Sequence, residues 1–245
     1  MYTDIEQKFN AYKEIYNQII PNIPPCSQRT KAQTLLENSL YLSVFTTFEW
    51  FIRTLIDDYV IKASERGLCF NDLSAGIARY VFLSHEKRIS DLFNKTPDNQ
   101  IGAFNSYYNT LKSNFTVNQL KGYIRFEFFH ESKLNGYYKD VFEQVLGDRD
   151  FLNNLMINTG IDSLSSSLET RQRQNALQFL IDFTDKVRNN IAHENSEFIL
   201  SDDEYGFDSV VSRFLQIIKS IEETYMLHTG FEISLPQENL LDISY

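Results

Sequence analysis

The chain is poor in the residues that make turns and cross-links. Nine glycines and five prolines are spread over 245 residues, too few for a sandwich of short strands, which needs frequent turn residues. Cys26 and Cys69 are the only cysteines. They could pair, but two cysteines in a chain of this length do not form the disulfide framework of a small secreted scaffold. The opening segment MYTDIEQKFNAYKEIY lacks the charged-then-apolar pattern of a signal peptide. No run approaches the roughly 18 apolar residues of a membrane span; FEWFIRTLIDDYVI is broken by Arg53, Asp57 and Asp58. The expectation is a cytoplasmic protein without a membrane partner. Basic residues are in deficit as well, and the net charge is −10. That argues against a broad basic surface for duplex DNA, whose affinity comes from phosphate neutralisation. It leaves room for an enzyme using a few local cations on one RNA phosphate, or for a basic protein partner. Metal-ligand spacing is missing: there is no CxxC, no HxxxH and no Cys/His cluster, and His85 and His228 stand alone. A glycine-rich phosphate loop and a GxSxG turn are missing too. No metal and no cofactor are expected.

What is abundant is packing material. Twenty Phe, fourteen Tyr and a hydrophobic fraction of 42 % describe a folded chain able to bury a core, and with so few turn residues the fold class is all-α. A first helix reads over 3–19, with Ile5, Phe9, Tyr12, Ile15 and Tyr16 or Ile19 on one face, stopped by PNIPP at 21–25. A long helix follows from about Gln28 to Arg66, closed by Gly67. Its apolar stripe is Leu36, Leu40, Val44, Phe48, Phe51, Leu55 and Tyr59, with Trp50 among these aromatics as a core residue. Helical patterns also fit 85–94, 99–113 and 136–146, while GYIRFEFFH at 122–130 is either a short strand or a buried helical segment. The serine cluster at 163–167 reads as a loop or helix start. A helix is then expected over 168–192, with Ala176, Leu177, Leu180, Phe183 or Thr184, Val187 and Ile191 facing the core. After the acidic loop SDDEYGFD comes a last helix, about 208–227, carrying Val210, Val211, Phe214, Leu215, Ile218 and Ile221. The tail from Gly230 reads as irregular or weakly extended.

The segment that carries chemistry is KVRNNIAHE, residues 186–194. On a helix, Asn189 and His193 are four apart and share a face, while Val187 and Ile191 point away from it. Asp182, Lys186, Asn189 and His193 then form an outward polar stripe, with Arg188 to one side and able to swing toward His193. Spacing alone proves little, because Arg125 and His130 also have four residues between them. That second pair is followed and preceded by phenylalanines and has no polar orienting residue. A helix-end role for Arg188 and His193 stays open, since cations stabilise the exposed carbonyls of a helix C-terminus. Glu49 either pairs with Arg53, four residues on, or reaches Arg188 from the long helix.

With its Arg188, the Asn189 directly after it, four intervening residues and the Ile-Ala-His ending, the segment resembles the signature of the HEPN family. The likeness is to stand-alone prokaryotic members of the RiboL-PSP type. The stretch 27–66 resembles the family's long early helix, with Phe48-Glu49 in its middle, and the resemblance covers about 27–66 and 168–227. It implies a HEPN-like helical bundle spanning 1–245 as a single domain, with an extra, mostly helical insertion at roughly 70–160. It further implies a metal-independent endoribonuclease, acting as a homodimer with a composite active site and cleaving an RNA substrate to 2′,3′-cyclic phosphate ends. In that reading Arg188 and His193 are catalytic, and Asn189 and Glu49 orient and support them. The family's habits point to a toxin or abortive-infection effector under an antitoxin or other regulatory protein. The alternative is a non-catalytic HEPN dimer that binds a protein or nucleotide.

Overall fold

A computed structural model describes residues 1–19, 27–69, 72–74, 77, 100–102, 105, 137–158, 173–194 and 205–233. The fold is all-α. The expected helix at 85–94, the ambiguous stretch 122–130, the serine cluster, Cys26, His85 and the Arg125/His130 pair lie outside the described residues, as does most of 99–113. The chain divides into two compact units. One comprises residues 1–52, 152–226 and 232–245, and the other 53–151 and 227–231.

In the first unit, α1 (Tyr2–Glu14) ends in a π turn (Ile15–Ile19). It buries Ile5 and Phe9. The N-terminal half of α2 (Ser27–Glu65) follows and buries Leu40, Tyr41, Val44, Phe45, Phe48, Phe51 and Ile52. This is wider than the expected stripe, and a helix apolar around more than one face is one covered on more than one face. Trp50 is a correction: it is half-buried, because it falls beside Thr46 on the outward side of the helix.

Two three-residue strands were not anticipated. β1 (Met156–Asn158) pairs antiparallel with β2 (Arg173–Asn175), Ile157 opposite Gln174 and turned into the core. Gln216 reaches this ribbon with both ends of its carboxamide, accepting from the Asn158 N–H at 2.9 Å and donating to the Asn158 carbonyl at 3.3 Å. The pairing shortens the next helix. α5 (Ala176–Phe183) starts eight residues later than expected, because Asn175 caps it by accepting from the Gln178 N–H at 2.7 Å. A second π turn (Thr184–Arg188) and α6 (Asn189–Glu194) continue it. The last helix, α7 (Phe207–Thr229), buries Val210, Val211, Phe214, Ile217, Ile218, Ile221 and Tyr225, while Leu215 is half-buried.

Helix α1 runs antiparallel to α7. The Tyr2 N–H donates to Glu222, Lys13 pairs with Asp208 at 3.5 Å, and Tyr16 stacks on Phe207 with ring centroids 4.6 Å apart. Around Phe214 the rings of Phe48, Phe179 and Phe183 lie at 5.2 Å and that of Phe45 at 6.4 Å, tilted or edge-on. Edge-to-face contact places a positive ring edge on a negative face, which adds to the gain from burial. Arg213 is buried in the same core, its guanidinium carbon 5.2 Å from the Phe179 ring centre.

In the second unit the C-terminal half of α2 buries Leu55, Ile56, Tyr59, Val60 and Ala63. Gly67 ends it as expected. At φ +82° it lets the Leu68 N–H reach the Ala63 carbonyl and its own N–H reach that of Ser64, the double closure of a Schellman cap. α3 (Tyr137–Leu146) buries Val141, Phe142, Val145 and Leu146 and is followed by the single turn α4 (Phe151–Asn154), of which Phe151 belongs to this unit. Phe231 packs edge-on to Tyr59 and lies under the guanidinium of Arg66, 4.1 Å from its centre.

Two predictions follow from this packing. The buried Tyr41 hydroxyl donates to the Tyr205 carbonyl at 2.7 Å, and desolvation, before the nearby Tyr16 and Glu37, holds its proton well above the usual tyrosine range. Above pH ~10 the unfolded chain therefore binds fewer protons than the folded one, so stability falls as pH rises. Tyr41→Phe is expected to lower stability at pH 7 by about 1–2 kcal/mol. It should also flatten the alkaline loss by up to ~1.4 kcal/mol per pH unit, both read by urea unfolding at pH 7–11. Gly147, at φ +76°, ends α3 with the His228 ring against it; a Cβ there would lie 2.6 Å from His228 Nδ1. Gly147→Ala should cost about 2 kcal/mol or more, and adding His228→Ala should recover only the steric part, since the backbone strain persists.

Candidate functional site

The motif lies on the continuous helical run 176–194, whose geometry is set by a core demand. Phe179, Phe183, Val187 and Ile191 are spaced by four and all buried. In a pure α-helix each step of four advances about 40°, so the last of these would sit roughly 120° from the first. The π turn removes most of that drift. The Asn189 N–H bonds back five residues to the Thr184 carbonyl, and π residues turn through roughly 20° less each than α residues. Thr184, buried at the start of the turn, donates its hydroxyl to the Leu180 carbonyl at 2.7 Å.

Under-winding also re-sorts the polar side, and here the expected stripe is corrected. Lys186 and Asn189, three apart across the π turn, no longer share a line, whereas Asp182, four before Lys186, stays in line with it. The Asp182 carboxylate accepts from Gln178 at 2.9 Å and Gln174 at 3.5 Å. Lys186 points toward the Tyr205 ring, 5.8 Å from its centre. Asn189 is aligned with Asp185, to which its Nδ2 donates at 3.5 Å.

Arg188 and Asn189 are brought together. Arg188 Nη1 donates to Asn189 Oδ1 at 3.0 Å, and the guanidinium carbon lies 6.0 Å from the Phe45 ring centre. Arg188 as a residue is partly buried. The amide oxygen gives its guanidinium a directed partner, and the aromatic face lies at the outer range at which it attracts a cation. Glu49 stands on α2 one turn beyond Phe45, half-exposed. His193 lies in α6, five residues beyond Arg188, and its side chain is outside the described residues. Asp185 and Phe45 were not singled out by sequence. The spacing of four between Asp185 and Asn189 is a readable signal, whereas the Phe45 contact joins residues 143 apart in the chain and has none.

Among the described residues no group of three His, Cys, Asp or Glu could hold a metal ion, and no helix is long and apolar enough to cross a membrane. Cys69 is half-buried, its thiol 4.0 Å from the Gly67 carbonyl. No protein-family model, curated protein or solved structure matches the chain.

Because Arg188 is half-exposed and Asn189 binds outside the core, neither should be needed for folding. Arg188→Gln and Asn189→Ala are each expected to change unfolding free energy by less than about 1 kcal/mol, measured by urea denaturation. A larger loss would mark Arg188 as a structural cation.

Proposed function

We propose that the chain is a metal-independent endoribonuclease of the HEPN type. The observation that supports this most is the state of Arg188: a guanidinium hydrogen-bonded to Asn189, 6.0 Å from the Phe45 ring centre, on a residue that is only partly buried, five residues before His193 on one helix. A planar, permanently charged fork suits the anionic phosphorus centre formed when a 2′-hydroxyl attacks the adjacent phosphate. An imidazole whose ordinary pKa is near 6.5 suits the proton transfers.

In the proposed reaction His193 takes the proton from the 2′-hydroxyl while its oxygen forms the new bond to phosphorus. The bond from phosphorus to the 5′-oxygen breaks, and that oxygen leaves with a proton from the partner subunit's His193. The products are a 2′,3′-cyclic phosphate and a 5′-hydroxyl. Two copies of the motif helix in a homodimer supply the base and the acid, so the site is composite. A toxin or defence role under a regulatory protein fits a nuclease that needs no cofactor.

The test is cleavage of end-labelled RNA by the purified protein in EDTA. Cyclic phosphate ends should form, and Arg188→Ala and His193→Ala should each lower the rate at least 100-fold. A dimeric parental protein that cleaves no RNA would instead favour a binding module. Cleavage only with added metal would sink the mechanism.

A further inference from the structure

Resting on that nuclease reading, we infer that Asp185 is a positioning residue for Arg188, acting through the Asn189 carboxamide. A carboxamide can present either its oxygen or its NH2 to a neighbour. Only the oxygen can accept from Arg188 Nη1, as it does at 3.0 Å; the flipped amide would set two donors against each other. What selects the productive orientation is the acceptor on the other side, the Asp185 carboxylate, which receives the NH2 at 3.5 Å. Carboxylate, amide and guanidinium thereby form a chain with a charge at each end, and each bond polarises the next.

The backbone explains why position 185 can do this. Asp185 lies inside the π turn and Asn189 is the first residue after it. Under-winding keeps residues four apart in line across this stretch, as it does for Phe183 and Val187 on the core side. The same turn that holds the core in register thus places the Asp185 carboxylate one step before Asn189. Position 193 follows by another step of four, at the end of the same ridge. Asp185 is exposed, so its loss should leave the fold intact. Its expected effect falls on the orientation of the guanidinium, which matters once the phosphate carries its transient extra charge, more than on binding the RNA.

The experiment is a double-mutant cycle on RNA cleavage in EDTA, with thermal melting as a control. Asp185→Ala should lower kcat about tenfold with KM changed less than twofold. Asp185→Asn keeps an acceptor oxygen and should recover most of the rate. In an Asn189→Ala background, Asp185→Ala should change nothing further, because the residue through which it acts is gone. Independent, additive losses would overturn the inference, as would a rise in KM alone or a kcat within twofold of the parent. An inactive parental protein counts against the nuclease reading and takes the catalytic role of Asp185 with it. The hydrogen-bond chain is then decided by NMR of the Asn189 side-chain amide: its proton exchange should quicken in Asp185→Ala, and an unchanged rate rules the chain out.

Discussion

Phe214 sets the terms for the first unit. Rings from α2 and from the 176–194 run converge on it, so both segments must present aromatic side chains to one point on α7. The same face of 176–194 also buries Val187 and Ile191, and in an undistorted α-helix each step of four along Phe179, Phe183, Val187 and Ile191 drifts by about 40°. The π turn removes most of that drift, and the position of the candidate site follows from it. Arg188 closes the turn, lies 6.0 Å from the centre of Phe45, itself one of the rings around Phe214, and donates to Asn189. Core geometry and site geometry are therefore one problem solved once.

Electrostatics follow from the same arrangement. The chain is acidic overall, and the motif helix carries Asp182 and Asp185 as well as Lys186 and Arg188. Each acid is tied locally, Asp182 to Gln174 and Gln178 and Asp185 to Asn189. Arg213, by contrast, spends its charge inside the core over Phe179. Two arginines of one unit thus face aromatic rings in different settings, one fully buried and one partly exposed.

The periodic apolar pattern made the helices legible. α2 was expected over Gln28–Arg66 with Gly67 as its stop and is found at Ser27–Glu65, because a glycine at positive φ and a stripe of large apolar residues are both local signals. The start of α5 was misread, since Asn175 caps a helix whose preceding residues pair with a strand distant in sequence. The polar stripe was misread for a different reason: it assumed 100° per residue across a stretch where one backbone bond spans five residues. Asn189 beside Arg188 was legible because they adjoin in sequence. Phe45 beneath Arg188 was not, because that pairing is made only when α2 and the motif helix meet.

The Gln216 carboxamide has a consequence beyond holding the ribbon to α7. Strand β1 has β2 on one side, and its other side carries backbone groups able to recruit a foreign strand. At Asn158 both of those groups, the N–H and the carbonyl, are already taken by a single side chain. A short strand whose open edge is occupied in this way gives an extended peptide no ladder to extend at that residue. That blocking group comes from the helix that also organises the core.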